Sequence, residues 1–254
     1  MSVASAPILE VRNVSKRFNG AKTVDEVSFS LSGGTITALI GPNGAGKTTL
    51  FNLINGYMHP DFGRIVFNGK DIAGVPVYKI AGSGLGRLFQ DVRTFPKLSV
   101  FENVLIGCDA QTRTSLPVLL GSGARVSAAQ KHKIKSALEW AGLSHKSEAL
   151  AEELSFGQQK LLAMARLSCT DAHLLLLDEP FAGVADEVVR KQIVPLLKTA
   201  AKSGTTVLLI EHLLSVVWEI SDHIIIMDEG KIVNTGTAEQ VIKSPVLGEV
   251  FLGN

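Results

Sequence analysis

Eight residues, GPNGAGKT at 41–48, combine the residue types that hold a row of phosphates. Gly41, Gly44 and Gly46 let the backbone curl so that successive N–H groups face inward. Lys47 adds a positive charge and Thr48 a hydroxyl suited to Mg²⁺. Contacts to the phosphates are expected along the whole run from Gly41 through Pro42, Asn43, Gly44, Ala45, Gly46, Lys47 and Thr48 to Thr49. A plain glycine turn before a helix would require neither the lysine nor the hydroxyl. The run LLLLDE (174–179) supplies the complementary acids. Asp178, at the end of an apolar stretch, is placed to hold Mg²⁺ through a water. Glu179, one residue on, is placed to orient or deprotonate an attacking water. Two carboxylates before Pro180 would imply little alone; beside a phosphate loop they imply cleavage of a nucleoside triphosphate.

A third stretch, LSFGQQK (154–160), reads as a helix start. Ser155 suits an N-cap, accepting a bond from a free backbone N–H. Gly157 does not suit a first turn, where glycine is costly. GSGLGR (82–87) looks like a dinucleotide fingerprint, but no strand precedes it, and it reads as a turn into LGRLFQ.

The elements around these residues alternate. Strands are expected at ILEVRNV (8–14), VSFSL (27–31), TITALI (35–40) and RIVFNG (64–69), with a helix from Lys47 to about Asn55. Residues 70–100 read as loop-rich. From Phe101 to Cys169 the spacing is helical, broken by a glycine-containing connection at 107–127. Beyond Asp171 come the strand HLLLLD, a helix over 186–202 interrupted by Pro195, the strand TTVLLIEH, a short helix, the strands HIIIMD and KIVNTG, and a helix TAEQVIKS. Continuous apolar strands alternating with helices predict an α/β fold, its mostly parallel sheet covered on both faces.

At 254 residues, 46% apolar and 19% charged, the chain can bury a full core. A formal charge of +1 gives no reason to expect nucleic acid as a partner. Cys108 and Cys169 lack metal-ligand spacing and suit a reducing compartment. The longest unbroken apolar run is LLAMA (161–165), against the ~20 residues a spanning helix needs. MSVASAPILEV does not read as a signal peptide, so the chain reads as cytosolic, meeting a membrane only through a partner.

The ordered set GPNGAGKT, LFQ, LSFGQ, LLLLDEP and IEH resembles the ATP-binding cassette (ABC) ATPases from Val11 to about Gly236. LSFGQ resembles their LSGGQ signature, with Phe156 in the third place. The resemblance implies a P-loop NTPase core with an N-terminal antiparallel β subdomain. It also implies a helical subdomain (91–170) inserted within a single domain spanning 1–254. ATP and Mg²⁺ are the implied cofactors. Phe18 falls where the family stacks an aromatic on adenine, although a Phe beside the first strand also suits a core. Gln90 matches the glutamine that reaches Mg²⁺ and the attacking water; with Thr48 and Asp178 it completes the implied metal set. His212 matches the histidine that bonds the γ-phosphate, although a strand-end His is also commonly structural. Glu179, His212 and Gln90 form the implied catalytic set. Ser155, Gly157 and Gln158 would cover the γ-phosphate of a second copy, two cassettes meeting head to tail around two ATPs.

After DEP the family usually continues to Leu-Asp, whereas FAGVAD places Ala185 at the Asp position, followed by Asp186. GLGRLFQ, GQQKLLAMARL and DEPFAGV narrow the resemblance to the ATPase subunits of branched-chain amino acid importers (LivG type), whose relatives serve urea and short amides. After IEH that group usually has Asp-Met; here stand Leu213 and Leu214. The expected partners are a second cassette, integral membrane subunits and, indirectly, a periplasmic solute-binding protein, at the cytoplasmic face of the inner membrane. An alternative is an ABC-type ATPase that remodels a soluble complex, as in iron–sulfur assembly. The long coiled coil of DNA-repair relatives does not fit into residues 91–153, and a P-loop phosphotransferase would leave LSFGQ without a purpose.

Overall fold

A computed structural model describes residues 6–108 and 126–252, so most of the 107–127 connection lies outside the described residues. Two sheets carry the fold. The first is antiparallel, in the order β2-β1-β4-β5, from β1 (Leu9–Phe18), β2 (Ala21–Leu31), β4 (Phe62–Phe67) and the short β5 (Lys70–Asp71). The second has the order β10-β9-β3-β8-β7-β6. In it β3 (Ile36–Ile40), β6 (Leu85–Leu88), β7 (Leu174–Asp178), β8 (Thr206–Ile210) and β9 (His223–Asp228) run parallel, and β10 (Lys231–Gly236) closes an antiparallel hairpin.

Strand side chains alternate between faces, and both faces of the larger sheet are covered. On one side Leu39, Leu174, Leu176, Leu208 and Ile225 pack on Leu50, Phe51 and Ile54 of α1 (Lys47–Ile54), which is itself backed by the antiparallel sheet. On the other, Ala38, Ile40, Leu175, Leu177 and Leu209 meet a second set of helices. That is why 174–177 is an unbroken leucine run.

Between β6 and β7 the described residues hold α3 (Val100–Cys108), α4 (Ala128–Trp140), two 3₁₀ turns and α5 (Phe156–Ser168). α3 crosses α5 so closely that a Cβ on Gly107 would lie 2.1 Å from the Arg166 carbonyl oxygen. The loop-rich reading of 70–100 missed α2 (Val77–Gly82), six residues long. The 186–202 helix is one run in three parts: α6 (Asp186–Val188), a π turn (Val189–Ile193) and α7 (Val194–Lys202). Pro195 has no N–H to donate, and the wider π turn directly before it absorbs the mismatch in the hydrogen-bond ladder. Beyond α8 (Leu214–Ile220), the C-terminal reading gave one helix; the structure has α9 (Ala238–Ile242) and α10 (Pro245–Leu252). Among the described residues no helix is long and apolar enough to cross a membrane.

Candidate nucleotide site

β3 delivers the chain into the 41–46 loop and α1 takes it away. The path requires glycine at its two ends. Gly46, at φ 97°, caps α1 in the left-handed region, and a Cβ there would sit 2.2 Å from the Thr23 carbonyl oxygen. A Cβ on Gly41 would lie 1.9 Å from the Met227 carbonyl oxygen. The loop is therefore pinned between β2 and β9. It borders a cavity of about 410 Å³ lined by Thr23, the stretch from Asn43 to Thr49, Gln90, Glu179, Ile210 and His212. Pockets of this size and mixed polarity suit small ligands.

Lys47 is 6% exposed, and its Nζ donates to the carbonyls of Gly41 (2.7 Å) and Pro42 (2.8 Å). Burial pushes its pKa down, while the Glu179 and Asp178 charges pull the other way. The ammonium thus sits at the foot of the cavity, bonded to its own loop.

Glu179 is shared by two strand ends. Its Oε2 accepts from Gln90 Nε2 at 3.0 Å, and its Oε1 lies 3.3 Å from His212 Nε2. Gln90 and His212, the other two members of the implied catalytic set, therefore meet on the Glu179 carboxylate. Asp178 is buried, and its Oδ2 pairs at 3.3 Å with Arg87, whose guanidinium also donates to Asn52 Oδ1 at 2.6 Å and stacks near Phe89. Burial raises the Asp178 pKa, with Arg87 opposing. Asp178 Oδ1 has no hydrogen-bond partner. A buried carboxylate oxygen left free, with the Thr48 hydroxyl and the Gln90 amide at the cavity, is an all-oxygen donor set that fits Mg²⁺. Among the described residues no group of three or more His, Cys, Asp and Glu is placed to hold a metal ion.

Phe18 ends β1, 41% exposed as a residue, with Lys16 Nζ 5.8 Å from its ring centroid. It is not a core residue, and it stands outside the phosphate cavity. Ser155, Gly157 and Gln158 also lie outside that cavity, at the start of α5. There Ser155 and Gln158 form a capping box: Ser155 Oγ accepts from the Gln158 N–H at 3.4 Å, and the Ser155 N–H donates to Gln158 Oε1 at 3.1 Å. The ordinary N-cap reading of the serine is thus realised, with a long bond. The N–H groups of Phe156 and Gly157 precede the first intrahelical bond. Gly157 has a packing reason of its own, since a Cβ there would sit 3.2 Å from the Gly183 carbonyl oxygen. Phe156 lies over Gly183, whose added Cβ would come within 2.6 Å of the ring.

Three buried charged residues escaped the sequence reading: Arg87, Lys160 and Glu211. Each is a lone charge in or beside an apolar run, a pattern that itself marks a paired buried group.

Comparison with known proteins bears on this geometry. The family model described as "ABC transporter" matches residues 24–182. The chain belongs to the ABC transporter family. It is 36% identical over 246 residues to a probable branched-chain amino acid transport ATP-binding protein LivG of Archaeoglobus fulgidus, covering 97% of this chain and 95% of that one. It is 35% identical over 252 residues to the high-affinity branched-chain amino acid transport ATP-binding protein LivG of Escherichia coli K12, covering 98% and 99%. Among solved structures it is similar to a nucleotide-free ATP-binding cassette from an ABC transporter, with TM-score 0.83, 33% identity and coverage of 98% and 100%. The ADP conformation of such a cassette gives TM-score 0.84 at 33% identity, with the same coverage. The ABC ATPase fold and the family's activity, ATP hydrolysis coupled to transport, accordingly hold for this chain.

Proposed function

We propose that this ABC ATPase drives uptake of branched-chain amino acids or closely related amino-acid compounds. The observation that carries the substrate is full-length similarity, at 34–36% identity, to relatives named for branched-chain amino acid transport. The chain is a single domain, with residues 91–170 as a helical insert that meets membrane-spanning subunits on the cytoplasmic face. A solute-binding protein acts one step further out.

In the site, the 41–49 loop and Lys47 bind the β- and γ-phosphates, and Phe18 stacks on adenine. Mg²⁺, held by Thr48 and Gln90 and through water by Asp178, would neutralise charge on the β- and γ-phosphate oxygens. Glu179 takes the proton of the attacking water, Gln90 orients it, and His212 bonds the γ-phosphate. Among the described residues, none that lines the cavity supplies a cover over the γ-phosphate from the front. The start of α5, with Ser155, Gly157 and Gln158 and two unspent N–H groups, supplies the cover from a second cassette. Reversing a 1:99 equilibrium takes roughly 5.5 kcal/mol. A few charge-assisted bonds per γ-phosphate, at about 1.5–3 kcal/mol each, supply that over two sites. Hydrolysis removes them and the pair reopens.

The test is purification from detergent-solubilised membranes. Recovery with two multi-span subunits, and ATP hydrolysis stimulated by a leucine-loaded binding protein, is expected. Recovery with soluble partners alone would overturn the transport assignment.

A further inference from the structure

The turn after β7 is held in a costly conformation by two buried charges of opposite sign. Glu179 has φ 49°, in the left-handed region that non-glycine residues seldom occupy. Such a residue persists only where its surroundings over-determine it. Here its N–H donates to the Ile210 carbonyl at 2.9 Å. Lys160 of α5, 1% exposed, donates from Nζ to the carbonyl of Glu179 and, at 3.0 Å, to that of Ala182. Glu211, 4% exposed, accepts the Phe181 N–H on Oε1 at 2.7 Å. Its Oε2 accepts the His212 N–H at 3.0 Å. Lys160 therefore takes the carbonyls of the turn and Glu211 takes an N–H from it, while Glu211 also fixes the backbone of His212.

We infer that Lys160 and Glu211 form a buried clamp that positions Glu179, with Lys160 joining the catalytic turn to the helix that begins at Ser155. The inference rests on the proposed reading of Glu179 as the group that acts on water. Burying a lysine is costly, and here its protons go to the backbone of the residue whose carboxylate faces Gln90 and His212. Ser155 and Lys160 share one rigid helix, and Phe156 rests on Gly183 just beyond the clamped turn. Engagement of the Ser155 end by a partner's nucleotide thus bears directly on the geometry of Glu179 in the other site.

The full chain tests this through ATPase kinetics, binding of a fluorescent ATP analogue with Mg²⁺, and melting temperature. Lys160→Met should bind the analogue within about twofold of wild type yet lose kcat by about tenfold or more, because the lost contact acts on the chemical step. Lys160→Arg, keeping the charge and donors, should recover most of that loss. Lys160→Met added to Glu179→Gln should not lower the residual rate further, since the clamp acts through Glu179. Wild-type kcat in Lys160→Met beside an inactive Glu179→Gln overturns the clamp alone, as does a further multiplicative loss in the double variant. Wild-type kcat in Glu179→Gln overturns the reading of Glu179 and the clamp together. Should Lys160→Met not fold, Glu211→Gln carries the test: it keeps an acceptor for Phe181 and removes the charge. Its kcat should fall about fivefold or more at unchanged nucleotide affinity, and unchanged kcat overturns the clamp.

Discussion

Arg87 sits inside a four-residue strand, its side chain 6% exposed, and spends its charge on Asp178 Oδ2. The other carboxylate oxygen of Asp178 is left without a hydrogen-bond partner, so the pair with Arg87 sets which oxygen stays free. Removing one member of a buried pair strands the other. Arg87→Met should therefore lower stability by about 3 kcal/mol or more, read as a shifted urea midpoint, with Arg87→Lys losing less. An unchanged midpoint in Arg87→Met would show that Asp178 does not depend on Arg87. The phosphate loop and the acid pair were legible in sequence because local spacing alone defines them. Arg87, Lys160 and Glu211 were not, because each has a partner far along the chain: Arg87 and Asp178 are separated by 91 positions, Glu211 and Phe181 by 30. A lone charge in an apolar run shows that a partner exists without saying which.

At the scale of elements, the buried strands were readable because both faces of β3, β7 and β8 are covered, leaving unbroken apolar runs. The edges were underestimated. β1 and β2 extend to Phe18 and back to Ala21 through Lys16, Arg17 and Lys22, charged residues at the turn end of the hairpin that disguise the strand ends in sequence. The short α2 carries no cap bond from its Pro76 and buries only Ile80 among its six residues, so periodicity had little to find. The departure at Ala185 also takes form here. Ala185 is the N-cap of α6 without a side-chain bond, and Asp186 is engaged with Arg190 at 3.0 Å. Ala185→Asp should supply the missing cap and raise stability by about 1 kcal/mol, measured by denaturant unfolding. No gain would mean that the first turn of α6 is satisfied in another way.

In the whole molecule, chemistry is divided between two surfaces. The cavity gathers the phosphate loop, Gln90, Glu179 and His212, while the start of α5 with Ser155 and Gly157 opens elsewhere. One chain has each half once, and two chains arranged head to tail would complete both sites. On the proposed reading, the tie from α5 through Lys160 to the turn carrying Glu179 would place closure and hydrolysis on one helix. The most direct measurement is the solution mass of Glu179→Gln by light scattering with saturating ATP and Mg²⁺, and again with ADP. The expected result is twice the 27.1 kDa chain mass with ATP and a single chain mass with ADP. A single chain mass with saturating ATP would contradict the head-to-tail pair.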